Sequence, residues 1–197
     1  SLGFSASIRA FVRGARGRAK NMYGILQRRE ERSGGDRQER LTLSMAKMFG
    51  RERGGPLFTM HDYWQAKCRR HDLPEARDFP PHRPLPPEAA RRISWIDMAS
   101  EDPFDFVLRN HLGLTPGFEC FSDRRLGDHP SPMNAKSCAA EYLLCIRSRQ
   151  PIYHEIDQIL GGLVRQYVRL MLPAVDATGK VVRLVYVTRM LDRELRG

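Results

Sequence analysis

The first long pattern of apolar positions lies near the start of the chain, at residues 7–27. Its apolar side chains follow one another at intervals of three and four residues, which places them along one side of an α-helix. Gly14, Gly17 and Gly24 interrupt the pattern, and each costs about 1 kcal/mol relative to alanine inside a helix. The spacing therefore predicts an amphipathic helix that is marginal on its own.

A polar stretch with two glycines follows at residues 32–38 and predicts a linker. A short helical pattern occupies residues 41–49, and the glycines and proline of residues 50–56 then break the chain again. We therefore expect a domain boundary there. The expected organisation is a helical extension over residues 1–56 and a folded domain over residues 57–197.

Helix and strand patterns alternate within this predicted domain. One helix is expected to begin at Thr59, a natural N-cap, and to end before Pro74. Another is expected over residues 134–149, with Pro151 just beyond its end. Five apolar or alternating runs predict strands. They cover residues 93–98, 104–109, 152–160, 164–172 and 181–190.

The order of these elements predicts the fold class. Two strands, a helical crossover and three further strands fit an α+β domain. We expect a five-stranded antiparallel sheet with helices on one face, preceded by the helical basic extension.

Short segments of this domain are similar, in the same order, to motifs of a known bacterial family. They are Tyr63-Trp64, Arg77-Asp78-Phe79-Pro80, Trp95-Ile96-Asp97, Asp105-Phe106-Val107-Leu108-Arg109, Gln150-Pro151-Ile152-Tyr153 and Arg169-Leu170-Met171-Leu172-Pro173. The chain resembles the PAS-like family of short stand-alone proteins, found mostly in alphaproteobacteria. This resemblance implies a PAS-like sheet and a domain that binds ligands or partners without catalysis.

Charge is distributed unevenly along the chain, whose formal net charge is +10. Residues 1–56 hold 13 basic and five acidic side chains, a net charge of +8, so the extension carries most of the excess. Seven of its basic residues are candidates for contacts with phosphate, lipid or a partner: Arg9, Arg13, Arg16, Arg18, Lys20, Arg28 and Arg29.

Three kinds of partner suit a basic amphipathic extension. It can bind nucleic-acid phosphates through counterion release. It can lie on an anionic membrane surface. It can also place its apolar side on a protein partner or on a second copy of the chain.

Overall composition and motifs narrow the functional classes. Hydrophobic residues make up 41% of the chain, but no run approaches the roughly 18 apolar residues of a membrane-spanning helix. The four cysteines form no C-x-x-C pair, which favours reduced thiols in the cytoplasm. Zinc, haem, flavin and nucleotide motifs are absent from the sequence, as is a nucleophile elbow. We expect no enzymatic activity, and the cofactor is left unknown.

The helix at residues 134–149 and the predicted sheet are expected to enclose an apolar pocket. Its candidate ligand-binding residues are Phe106, Leu108, Tyr142, Cys145, Tyr167 and Tyr186. The same side chains also suit an ordinary core, which needs such residues in any case.

Together these patterns favour a PAS-like sensory, regulatory or scaffold protein that acts through protein–protein contacts, with or without a small ligand in the pocket. One alternative is a nucleic-acid-associated or ribonucleoprotein subunit that grips phosphates with the extension. Another is a peripheral membrane protein anchored by the same extension. The expected location is the cytoplasm, either free or at the inner face of a membrane.

Overall fold

A computed structural model of the chain describes residues 24–68, 73–79, 93–110 and 122–191. Most of the helix predicted at residues 7–27 lies outside these ranges. Five of the seven basic candidates also lie outside them: Arg9, Arg13, Arg16, Arg18 and Lys20.

The described residues form one antiparallel sheet with three helices, so the architecture is α+β. The strands are β1 (Ile25–Ser33), β2 (Asp36–Leu43), β3 (Ile93–Asp97), β4 (Val107–Asn110), β5 (Arg124–Arg125), β6 (Ile152–Leu160), β7 (Leu163–Val175) and β8 (Val181–Met190). The helices are α1 (Met45–Arg51), α2 (Pro56–Lys67) and α3 (Pro132–Ser148). Within the sheet the strand order is β1-β2-β6-β7-β8-β3-β4-β5.

Most of the elements predicted after residue 57 occupy their expected places. β6 and β8 have the predicted bounds, and α3 begins two residues before the predicted start. α2 begins earlier than expected, because Pro56 takes the first helical position and Gly55 precedes it as the N-cap. The strand predicted over residues 104–109 begins only at Val107, because Pro103–Asp105 form a 3-10 turn. The counterparts of the five predicted strands lie side by side as β6-β7-β8-β3-β4, within a sheet of eight described strands rather than the expected five.

Within the extension, the short helix predicted near residues 41–49 corresponds to α1, but the end of the first predicted helix and the linker after it are wrong where the structure describes them. β1 and β2 form an antiparallel hairpin through Gly34 and Gly35, at the place where a linker was expected. Gly34 has a φ of +58°, a conformation that glycine adopts without strain. β2 also pairs with β6 along its length, from Arg37 beside Ile159 to Leu43 beside Tyr153. Residues 25–43 therefore belong to the same sheet as the later strands.

The expectation that helices cover one face of the sheet is also wrong. α3 packs on one face, where Met171 and Val175 of β7 meet Tyr142 of α3 in one core cluster. α1 and α2 pack on the other face, against Leu170 and Leu172 of the same strand. β7 is apolar at successive positions here, so both of its faces need a covering layer.

The connection between α2 and the sheet includes a polar contact. The indole Nε1 of Trp64 donates a hydrogen bond to the backbone oxygen of Pro173 at 2.8 Å. Leu57, Met60 and Trp64 lie buried in the same cluster as Leu170. The layer formed by α1 and α2 on this face, called the second layer below, is therefore part of the hydrophobic core.

Replacement of Met60 with alanine tests the second layer. Met60 is fully buried, so Met60→Ala should lower the free energy of unfolding by about 2–5 kcal/mol through lost burial and a cavity. Leu163→Ala is the control, because Leu163 is 56% exposed and should change stability by less than about 0.5 kcal/mol. Urea unfolding followed by circular dichroism measures both. Equal, small effects would show that α2 is not part of the core.

Candidate functional site

The six apolar pocket candidates are all buried, two of them on α3 and four on or beside the sheet. Five of them lie in the core cluster between α3 and the sheet, and the sixth, Tyr167, is buried on the neighbouring part of β7. Burial raises the pKa of Tyr186 to about 12 and raises the pKa of the Cys145 thiol. Neither of the two cavities described below is lined by any of the six. The structure thus brings these side chains together as packed core residues.

The two basic candidates within the described residues lie on opposite faces of β1. Arg28 forms ion pairs with Glu30 at 2.6 Å and with Glu39 at 2.9 Å. Arg29 faces α3 and lies 3.8 Å from Glu31. Both guanidinium groups therefore already have carboxylate neighbours on the same hairpin.

A cluster of buried charges lies beside the apolar core, between α3 and strands β2, β6 and β7. We call Arg40, Glu141, His154 and Arg169 the charged cluster. Each is at most 7% exposed. The period of two along a strand turns Arg40, His154 and Arg169 toward α3, and Glu141 reaches them from the helix. Four titratable groups are thus enclosed next to the apolar side chains that were expected to line a pocket.

Glu141 is the shared partner of two guanidinium groups. Nη1 of Arg40 donates to Oε2 of Glu141 at 2.6 Å, and Nη2 of Arg169 donates to the same oxygen. Arg40 also donates to Oδ1 of Asn134 at 2.5 Å and to Oε1 of Gln38 at 3.0 Å. The arginine of β2 is therefore held by α3 and by its own strand.

A second set of hydrogen bonds joins α3 to β1. The side-chain amide of Gln38 donates to Oγ of Ser137 at 2.5 Å and to Oε2 of Glu31 at 2.6 Å. The hydroxyl of Ser137 donates to the same oxygen of Glu31. Asn134, Ser137 and Glu141 follow at helical spacing, so one polar side of α3 contacts both strands of the hairpin.

The ionisation of Glu141 follows from its neighbours. Burial by itself would raise the pKa of this carboxyl group. Arg40, His154 and Arg169 outweigh that effect and lower the pKa to about 2. Glu141 is therefore a carboxylate at neutral pH.

His154 is neutral at the same pH. Burial lowers its pKa, Arg169 and Arg40 lower it further, and the attraction of Glu141 offsets only part of this, which leaves a pKa of about 4. The cluster then contains two guanidinium charges and one carboxylate charge. An excess of one positive charge lies in the protein interior.

The neighbours of His154 also determine its tautomer. Nη2 of Arg169 lies 3.5 Å from Nδ1 of His154, and a guanidinium can only donate. Nδ1 is therefore the acceptor and Nε2 carries the proton. Nε2 lies 3.6 Å from Oε1 of Glu141 and has no hydrogen-bond partner, and neither has Nε of Arg169.

A cavity of about 30 Å³ adjoins the charged cluster. Arg40, Glu141 and His154 form its buried side, and Arg29 lies toward its mouth together with the exposed Gln27. This volume accommodates a water molecule or an ion of similar size. His154, whose Nε2 is buried and unpartnered, is therefore one of the residues that line this small, open cavity.

Another cavity, of about 190 Å³, lies between the end of α2 and the β7–β8 hairpin. Lys67 and Arg149 contribute positive charge to it, and Glu75, Asp78 and Asp176 contribute negative charge. Its mixed lining shows no buried unpaired group. Unlike the cavity beside the charged cluster, it has no buried, unpartnered polar atom in its lining.

The opposite face of the sheet carries an ion pair between the buried carboxylate of Glu52 and the partly exposed guanidinium group of Arg189. Glu52 accepts hydrogen bonds from Nε and Nη2 of Arg189 at 2.8 and 2.7 Å, and from the hydroxyl of Tyr153 at 3.1 Å. One carboxylate faces one guanidinium here. The excess charge is thus a property of the charged cluster.

Sequence reasoning missed Arg40, Glu141 and Arg169 as site residues. One signal was available in the sequence. Glu141 is a charged residue on the side of α3 that also carries Cys138, Tyr142 and Cys145 and was expected to be apolar. The described ranges contain no group of three His, Cys, Asp or Glu residues that could hold a metal ion. They also contain no helix long and apolar enough to cross a membrane.

Comparison with protein-family models, with curated proteins and with solved structures found no match.

Removal of the shared carboxylate should strongly destabilise the fold. Glu141→Gln leaves two buried guanidinium groups without a counter-charge, and we expect a loss of about 3–5 kcal/mol in the free energy of unfolding. Asp105→Asn is the control, because Asp105 pairs with Arg125 at an exposed site and should cost less than about 1 kcal/mol. Urea denaturation measures both losses. Similar losses in the two variants would contradict the central role of Glu141.

Acidification should destabilise the protein through His154. Its pKa is about 4 when folded and 6.5 when unfolded, so the unfolded chain takes up the proton first as the pH falls. The resulting loss is about 2 kcal/mol between about pH 7 and about pH 5. His61 and His129 also have lowered pKa values and act in the same direction.

Urea unfolding of the wild type and of His154→Gln at the two pH values checks this sign. The variant should lose less stability on acidification, by about 2 kcal/mol, even if it is less stable at both values. An identical loss in the two proteins would show that His154 does not stay neutral.

Proposed function

We propose that this chain is a non-enzymatic, PAS-like regulatory or scaffold module that acts through protein–protein contacts. The block of five adjacent strands β6-β7-β8-β3-β4, with α3 as the crossover between its second and third strands in chain order, supports the PAS-like part of the proposal. The three described cysteines are free thiols, which supports a reducing compartment such as the cytoplasm.

The observation that carries the regulatory role is the polar connection between α3 and the β1–β2 hairpin. Glu141 holds Arg40 of β2, and Ser137 holds Glu31 of β1. The chain enters β1 directly from residues 1–23, which hold five basic candidates. A change in the position of α3 would therefore reach the strand that follows the basic segment.

The partner of that segment is a protein or a second copy of the chain in this proposal. Arg28 and Arg29 are already next to carboxylates, so they offer little free charge to phosphate. If the full chain binds nucleic acid with an affinity that falls steeply as the salt concentration rises, the proposal is wrong and the nucleic-acid alternative is supported. If the full chain floats with anionic vesicles but not with neutral ones, the membrane alternative is supported instead.

Hydrogen exchange tests the connection between α3 and the hairpin. Ser137→Ala removes the hydroxyl that bridges Glu31 and Gln38, so amide exchange in β1 and β2 should become about tenfold faster. Ser148→Ala is the matched control on the same helix, because the Ser148 hydroxyl donates to the carbonyl of Cys145 and accepts from the backbone N–H of Gln150, and neither residue belongs to the hairpin. Mass spectrometry of the deuterated peptides locates the change. The same exchange in both variants, or a change spread over β3 and β4, would contradict the coupling.

A further inference from the structure

Strand β1 lies at one end of the described sheet, where β2 is its neighbour on one side and no described strand lies on the other. Ser33 and Asp36 flank the two-residue turn of the β1–β2 hairpin, so they form a hydrogen-bonded pair. Hydrogen-bonded and non-hydrogen-bonded pairs alternate along an antiparallel ladder, which directs the backbone N–H and C=O groups of Arg28, Glu30 and Arg32 away from β2. Such an edge is a template for a further strand.

The side chains along this edge are exposed and alternate in charge. Those of Arg28 and Glu30 are 60% and 52% exposed, and both lie on the face of the sheet away from α3. Leu26, near the start of the same strand, is 58% exposed, although most large apolar side chains of the described residues are buried. The edge therefore presents an apolar and two oppositely charged side chains beside its outward backbone groups.

We propose that β1 pairs antiparallel with β1 of a second copy of the chain, about a two-fold axis through Arg29. Arg29 is the middle residue of the nine in this strand. In this register Arg28 of each copy lies directly opposite Glu30 of the other copy. The dimer thus contains two pairs of opposite charge on the face away from α3, and the described strands of both copies form one continuous sheet.

Charge disfavours the neighbouring registers. An axis through Glu30 would place that residue opposite its own copy and Arg28 opposite Arg32. An axis through Arg28 would place two copies of that arginine opposite each other. The central register puts Arg29 opposite its own copy, but Glu31 lies 3.8 Å from it within each chain and offsets the repulsion. The register about Arg29 is therefore the one that the charges of β1 favour.

The other end of the described sheet offers no such match. Its terminal strand, β5, consists of Arg124 and Arg125, so two copies would place arginine beside arginine. β1 also carries features that keep edges from unspecific pairing, namely charged side chains and a bulge between Ile25 and Gln27. A partner strand must therefore match its charges, and a second β1 does so.

This inference rests on the proposed function and deepens it, because it names a second copy as the partner and β1 as the contact. Glu31 of β1 is held by Ser137 of α3, so a change in the position of α3 would reach the contact between the copies. A chain that remains monomeric would overturn the dimer alone, since the exchange experiment on Ser137→Ala measures the coupling within one chain. Binding to nucleic acid or vesicles would overturn the proposed function, and self-association of the protein without them would still be measured.

Sedimentation equilibrium of the full chain tests for the dimer. One strand edge is smaller than the roughly 800 Å² per partner of a stable interface, so we expect weak association. The average mass should rise from the 22.7 kDa of one chain towards twice that value between about 10 and 500 µM. The mass of a single chain at the upper concentration would overturn the proposal.

Hydrogen exchange at the same two concentrations locates the contact. The backbone amides of Arg28, Glu30 and Arg32 gain partners only in the dimer, so the peptide that covers β1 should exchange more slowly at the high concentration. Peptides that cover β3 and β4 should be unchanged. Protection of those strands without protection of β1 would overturn the assignment of the contact.

Two charge reversals test the register. Arg28→Glu and Glu30→Arg each place like charges opposite each other twice, so each should weaken self-association about tenfold. In a dimer of one variant with the other, both pairs are again of opposite charge. An equimolar mixture should therefore associate within about threefold of the wild type.

Arg37→Glu is the matched control. It makes the same change in net charge as Arg28→Glu, but on β2, one strand away from the edge. It should change self-association less than about twofold. Both substitutions reduce the positive charge of the chain and hence the general repulsion between copies, which by itself would strengthen association. Equal weakening by these two variants, or a mixture of Arg28→Glu and Glu30→Arg no tighter than its components, would overturn the register.

Discussion

Strand β7 imposes the constraint on which the rest of the fold depends. Nine consecutive residues, from Tyr167 to Val175, are buried, so the strand needs cover on both faces. α3 covers one face and α1 with α2 covers the other, and β6 and β8 satisfy its backbone on either side. A layer of helices on a single face would leave Leu170 and Leu172 in water. The three-layer arrangement follows from the composition of this one strand.

Arg169 is the exception within that strand, and it explains the polar site. A guanidinium group in a fully buried strand requires a counter-charge, which α3 supplies through Glu141. The same carboxylate accepts a hydrogen bond from Arg40 of β2, and this contact links the β1–β2 hairpin to α3. The apolar core ends where these charges begin. On the opposite face, one carboxylate, that of Glu52, pairs with one guanidinium group, that of Arg189.

Several parts of the fold could be read from local patterns. α3, β6 and β8 have apolar residues at the spacing of their own secondary structure, and the turn before β8 contains Asp176 and Gly179. The hairpin β1–β2 could not be read in this way, because Gln27 to Ser33 are polar on both sides of the strand. The charged cluster could not be predicted from the sequence for a related reason. Its members come from four elements, and no local spacing connects Arg40 with Glu141.

The sequence by itself determined the α+β class, most of the elements after residue 57 and the concentration of positive charge in the first 56 residues. These properties depend on neighbours along the chain, so composition and periodicity reveal them. Only the tertiary structure decided that β2 pairs with β6, that helices cover both faces and that two arginines share one carboxylate. Such pairings join residues far apart in sequence, and they are chosen by burial and charge balance in the assembled fold.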